Sequence, residues 1–214
     1  TGGASGLGKA MAEEAARRGM KVVIADVEAG AMEQAVTDLR ANGAEAIGVL
    51  TDVTSAASVE ALAVTTEESF GPANLLFNNA GVASGGPIWE STEKDWKWLF
   101  GVNVDGVANG VRSFTPRLLA AAAADAAYQG CIVNTASMAG LVTAPGMGIY
   151  SVSKHAVLAL SECLYHDLDL IGRRVRAAAL HHAQRRQGGA AAGHRLRAAR
   201  PRRAGGGLGD GGEG

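Results

Sequence analysis

Tyr150 and Lys154 stand four residues apart, a spacing that puts a phenol and an ammonium on one face of a helix. A positive charge beside a phenol favours the phenolate. A tyrosine tuned in this way can exchange a proton with an alcohol or carbonyl oxygen. Ser137, 13 residues before Tyr150, follows a strand-like run and can hydrogen-bond the same oxygen. A Tyr-x-x-x-Lys spacing by itself is usually a solvated helix face, so this reading depends on the combination.

A second group of residues opens the chain. Thr1-Gly-Gly-Ala-Ser-Gly-Leu-Gly8 runs straight into a helical pattern. Glycines allow a tight turn and close backbone approach, while a helix N-terminus offers free N–H groups and a positive dipole to a pyrophosphate. Asp26 ends the next strand, about 20 residues on, where a carboxylate can accept hydrogen bonds from a ribose diol. The same carboxylate repels a 2′-phosphate, which favours NAD over NADP. Each feature alone has a plainer explanation, a turn or a helix-capping acid. Together they point to a dinucleotide site.

The elements that must carry these groups alternate between strand and helix, the pattern of an α/β protein with a parallel sheet. Helix is expected over 7–18, strand over 21–26, and helix again where Met32, Ala35, Val36 and Leu39 recur. Strand follows at 46–50, then a helix capped by Ser55 and stopped by Gly71-Pro72, then strand at 74–77. A long helix is expected from about 95 to 127, strand at 131–134, helix over 150–171 and strand at 175–180. Residues 138–149 contain Gly and Pro and lie beside the proposed site, where they can shape substrate access.

Composition narrows the function classes. The 214 residues suit one main domain, and a net charge of −1 gives no reason to expect a nucleic-acid or membrane partner. Cys131 and Cys163 lack metal-ligand spacing, as do the histidines, so no metal is expected and a reduced cytoplasmic compartment is. No apolar run approaches a bilayer span, and no signal peptide is read at the start. Trp89, Trp96 and Trp98 are read as core or interface residues rather than a substrate cage.

The ordered motifs resemble those of short-chain dehydrogenases/reductases. They are Thr-Gly-x-x-x-Gly-x-Gly at 1–8, Asn78-Asn-Ala-Gly81, Asn103, Ser137 and Tyr150-x-x-x-Lys154, and the resemblance covers residues 1–180. It implies a Rossmann-like doubly wound parallel sheet and reversible hydride transfer between NAD(H) and a secondary alcohol or carbonyl substrate. It also implies that Tyr150 is the general acid/base, that Ser137 orients the substrate oxygen, and that Lys154 holds the nicotinamide ribose. Asn103 would bind a water that extends the proton relay. Gly2, Ser5, Gly6, Leu7 and Gly8 would line the pyrophosphate and Asp26 the adenine ribose. Asp52 and Val53 would contact the adenine, and Asn79 would lie along the ribose nearer the nicotinamide. A homo-oligomer, formed through the helices after Asp95 and Tyr150, is implied by resemblance only.

The sequence departs from that family at both ends. The strand expected before the glycine loop is absent, which should leave a gap beside the dinucleotide crevice. The Pro-Gly turn, lid and last strand expected after about residue 180 are also absent. Residues 181–214 hold seven Arg against Asp210 and Glu213, and no Val, Ile, Met, Phe, Tyr, Trp or Cys. Such a segment cannot bury enough apolar area to offset the entropy of ordering it, so a disordered Ala/Gly/Arg tail is expected. Its origin is read as an out-of-frame stretch of a GC-rich gene, the other reading being a natural linker. The competing functions are a non-catalytic dinucleotide-binding protein and an inactive fragment. A nucleic-acid role for the tail is disfavoured because aromatic residues are not interleaved with its arginines.

Overall fold

The computed structural model describes residues 1–172 and 174–181. It holds five parallel strands, β1 (Val22–Asp26), β2 (Ala46–Leu50), β3 (Leu75–Asn78), β4 (Gly130–Thr135) and β5 (Val175–Leu180). Between them run α1 (Gly6–Arg17), α2 (Ala29–Ala41), α3 (Ala56–Phe70), α4 (Glu93–Phe100), α5 (Gly106–Ala124) and α6 (Gly148–Leu170). This is the Rossmann-like α/β architecture that the alternating pattern predicts.

Parallel strands need both faces covered, and the side chains here divide accordingly. Val22 and Ile24 of β1 pack with Met32, Val36 and Leu39 of α2. Val23 and Ala25, one position out of phase, belong to the opposite cluster with Leu62 of α3 and Phe114 and Leu118 of α5. Ile132 of β4 is fully buried in that larger cluster, beside Leu164 and Leu168 of α6. The i, i+3, i+4 spacing of Met32, Ala35, Val36 and Leu39 buries one stripe of α2, as expected.

Hydrogen bonding divides the strands into two sheets, β1–β2 and β3–β4–β5. β1 and β3 are not paired to each other among the described residues. Residues 1–3 thread between them instead: Thr1 N donates to Phe77 O at 2.8 Å, and Gly3 N–H to Ala25 O at 3.2 Å. Below them lies a slot lined by Val22, Ile24, Leu75 and Phe77. The tail beyond residue 181 lies outside the described residues.

One expected element is corrected. The helix read from about 95 to 127 is two helices, α4 and α5, joined by a π-turn over Gly101–Asp105. It also ends earlier, at Ala124, although alanine favours helix. Asp125 accounts for the stop. Its carboxylate accepts the Ala127 N–H at 2.7 Å and its carbonyl accepts the Tyr128 N–H at 3.2 Å. The Tyr128 hydroxyl then donates to Ala73 O and draws the chain toward β3. Tertiary bonds override propensity here.

Candidate active site

The glycine loop crosses the C-terminal end of β1 and turns into α1. Gly2 and Gly6 hold φ of +60° and +52°, values that a side chain would strain. Gly8 is buried beneath the loop, where an added Cβ would lie 2.0 Å from Gly2 O. Ser5 precedes α1 without a side-chain cap, which leaves first-turn N–H groups of the helix available to an anion. Asp26 fixes the loop from the strand side. Its two oxygens accept the Ala4 N–H at 2.9 Å and the Glu28 N–H at 3.1 Å.

The loop after β2 forms the adjoining wall. Asp52 accepts both the Thr54 N–H at 2.9 Å and the Thr54 hydroxyl at 2.8 Å, a local turn that sets the position of Val53. From the other sheet, Asn79 acts as a strut. Its amide donates to Thr1 O at 3.1 Å and Gly2 O at 3.3 Å, while its oxygen accepts the Thr135 hydroxyl at 3.3 Å. The residue therefore joins the glycine loop to the end of β4.

Tyr150 and Lys154 occupy the first turns of α6 and are 5% and 4% exposed. Tyr150 packs with Leu99 and Ile149. The Lys154 ammonium donates to Thr135 O at 2.9 Å and lies 5.8 Å from the centre of the Tyr150 ring. Burial lowers its pKa to about 8, because few groups replace the water that an ammonium loses. Ser137 is also buried, and caps the short 3-10 turn Met138–Gly140 by accepting the Ala139 N–H at 3.1 Å. That turn sits hard against α6: a Cβ on Gly140 would meet Lys154 O at 2.7 Å.

Asn103 lies in the π-turn and is fully buried. Its oxygen accepts the Val82 N–H at 2.8 Å. Its amide donates to Val82 O at 2.9 Å and to Ser153 Oγ at 3.0 Å. The side chain thus ties the segment after β3 to α6, beside the lysine.

Of the residues singled out in the sequence, Gly2, Ser5, Gly6, Leu7, Asp26, Asp52, Val53, Asn79, Tyr150 and Lys154 line one open cleft of about 770 Å³. Gly8, Asn103 and Ser137 are not part of that wall and stand behind or beside it. Sequence reasoning missed Thr51, Thr54, Thr135, Val82, Ala83, Val102 and Trp98, which line the same cleft. Val82 and Ala83 directly follow Asn78–Gly81, a signal that was available. Trp98 carried none, since the side of α4 that it occupies depends on packing. Among the described residues no cluster of three or more His, Cys, Asp or Glu could hold a metal, and no helix is long and apolar enough to cross a membrane.

The cleft fits a dinucleotide by its donor set and by its lack of bulk. It has a glycine cradle that a single Cβ would fill, a helix N-terminus for a pyrophosphate, and a carboxylate beside the loop. A phenol and an ammonium stand at the far end.

Comparison with known proteins agrees with this geometry. The short chain dehydrogenase family profile matches residues 1–182. The CLA biosynthesis dehydrogenase/reductase of Lactiplantibacillus plantarum is 38% identical over 168 residues, 78% of this chain and 57% of that protein. A crystal structure of a short chain dehydrogenase/reductase from Burkholderia phymatum in complex with NAD is 54% identical with a TM-score of 0.82. That match covers 85% of this chain and 63% of the other. The structure of NAD+-bound xylitol dehydrogenase is 31% identical with a TM-score of 0.79, covering 85% of this chain and 67% of the other. The chain spans a little over half the length of the Lactiplantibacillus relative. It belongs to the short-chain dehydrogenase/reductase family.

Proposed function

We propose that this protein is an oxidoreductase that transfers hydride between NAD(H) and a secondary alcohol or carbonyl compound, residues 1–180 forming the catalytic domain. The observation that carries the reading is the single cleft running from the glycine loop and Asp26 to Tyr150 and Lys154. NAD(H), when bound, accepts or supplies the hydride at its nicotinamide ring. Gly2, Ser5, Gly6 and Leu7 would hold its pyrophosphate, with Gly8 keeping the space beneath the loop clear. Asp26 would receive the adenine ribose, and its charge opposes a 2′-phosphate. Val53 would meet the adenine, positioned by Asp52. Asn79 would lie along the ribose nearer the nicotinamide.

Tyr150 holds the proton that moves to or from the substrate oxygen, and Ser137 orients that oxygen. Ser137 Oγ keeps its own proton to donate, because its observed hydrogen bond is one that it accepts. Lys154 would bind the nicotinamide ribose hydroxyls, its ammonium then exchanging the Thr135 carbonyl for them. The Asn103 amide is already committed to Val82 and Ser153. The substrate is a small molecule, and the Burkholderia phymatum relative crystallised with NAD supports the choice of cofactor.

A second reading, dinucleotide binding without turnover, draws support from Ser137 standing outside the cleft wall. Incubation with a panel of secondary alcohols and either NAD or NADP separates the two. Accumulation of reduced cofactor, faster with NAD, is expected. Binding of NAD without turnover of any alcohol would favour the second reading, and no binding of either cofactor would overturn both.

A further inference from the structure

Trp98 is a large apolar side chain left 48% exposed, although Trp96, Leu99 and Phe100 of the same helix are packed. Leu99 is fully buried against Tyr150 and Ile149, with Trp96 and Phe100 packed on the same cluster. The start of the helix is fixed by a capping box in which Thr92 and Asp95 bond reciprocally. α4 is therefore held rigidly, and the exposure of Trp98 comes from where it is held. The indole lines the dinucleotide cleft, in which Tyr150 is the only other aromatic among the described residues.

Its position along the cleft follows from its neighbours. Val102 lies one turn further on, lines the same cleft, and packs on the cluster that contains Val53. At the intervening Gly101, an added Cβ would be 3.6 Å from Thr54 Cγ2, so the end of α4 abuts the loop that carries Asp52 and Val53. The indole thus stands on the side of the cleft assigned to adenosine. A flat apolar surface held there matches the π-face of a purine, and stacking on an aromatic side chain strengthens base binding substantially.

We propose that Trp98 is a further cofactor-binding residue, its indole packing against the adenosine half of the dinucleotide and covering it from solvent. This rests on the dinucleotide reading above and extends it to a residue that the glycine loop and Asp26 do not predict.

Calorimetric titration with ADP-ribose, which has no nicotinamide, and with nicotinamide mononucleotide, which has no adenine, tests the assignment. Trp98→Ala should weaken ADP-ribose about tenfold and leave nicotinamide mononucleotide within about twofold, while Trp98→Phe should recover most of the loss. ADP-ribose should also quench tryptophan emission of the parent protein, and part of that quench should vanish in Trp98→Phe. Because the indole is half exposed, both variants should melt within a few degrees of the parent. Equal ADP-ribose affinity in the parent and Trp98→Ala would overturn the proposal and leave the dinucleotide reading standing. A loss that falls on nicotinamide mononucleotide would also overturn it. Failure of the parent to bind ADP-ribose or NAD would remove both.

Discussion

On the β1–β2 side of the cleft, the groups that face a ligand are mostly main chain: the glycine loop and the N–H groups that open α1. Asp26 contributes a carboxylate there, but it also holds the loop through Ala4 and Glu28. On the β3–β4–β5 side the groups proposed to act on the substrate, in the wall or just behind it, are buried side chains. Asn103, Ser137, Tyr150 and Lys154 each lie at or below 5% exposure. A main-chain cradle tolerates changes of side chain but not a change of shape. A buried polar cluster tolerates neither loss of a partner nor loss of charge. The two walls should therefore fail differently, one losing affinity and the other losing chemistry.

The largest expected effect is on the chemical wall. Tyr150→Phe removes the proton and one oxygen while keeping the ring among Leu99 and Ile149, so turnover should fall by about 10²–10⁴. Steady-state rates beside an NAD titration check this, and the affinity should stay within about threefold. A parallel loss of affinity would mean that the two walls do not divide the work.

Gly8→Ala and Gly110→Ala sharpen the same contrast. At Gly8 the new Cβ would fall 2.0 Å from Gly2 O, and at Gly110 2.0 Å from Asn78 Oδ1. Both substitutions should destabilise the fold by about 2–3 kcal/mol in denaturant unfolding. Only Gly8→Ala should weaken NAD, by tenfold or more, because only that clash deforms the cradle. The Asn78 carboxamide instead bonds Asn134, which bonds Ser161, in a buried chain away from the loop.

Lys154→Met gives a smaller effect of the opposite sign. With a pKa lowered to about 8 from 10.5, Lys154 binds its proton less tightly when folded than when unfolded. Its charge therefore opposes folding fully below pH 8, and the penalty fades as pH rises toward 10.5. The shift corresponds to about 3 kcal/mol, partly offset in the variant by loss of the bond to Thr135 O. A gain of about 1–2 kcal/mol, or roughly 3–6 °C in melting temperature, is expected at pH 7 and should shrink above pH 8. A variant that melts below the parent at pH 7 would remove the buried charge as a source of instability.

The two walls also differed in how readable they were. The glycine loop, Asp26 and the Tyr150–Lys154 pair are local patterns, and their spacing alone places each on a loop, strand end or helix face. The strands were likewise legible, with β5 read at its observed bounds. Helix boundaries near the site were not, because long-range bonds set them. The π-turn at 101–105 coincides with Asn103 reaching to Val82 and Ser153, and the stop at Ala124 depends on Asp125 and Tyr128. Trp98 looked like one of three similar tryptophans in sequence. Only the packing of Leu99, Trp96 and Phe100 toward Tyr150 distinguishes it.

A crystal structure grown with NAD tests the central claim most directly, since that claim is that one cleft serves both walls. The pyrophosphate should lie against the loop and the start of α1, the adenosine between Asp26, Val53 and Trp98, and the nicotinamide beside Tyr150. Lys154 should have left Thr135 O for the ribose. A dinucleotide bound elsewhere, or one whose nicotinamide lies away from Tyr150, would contradict it.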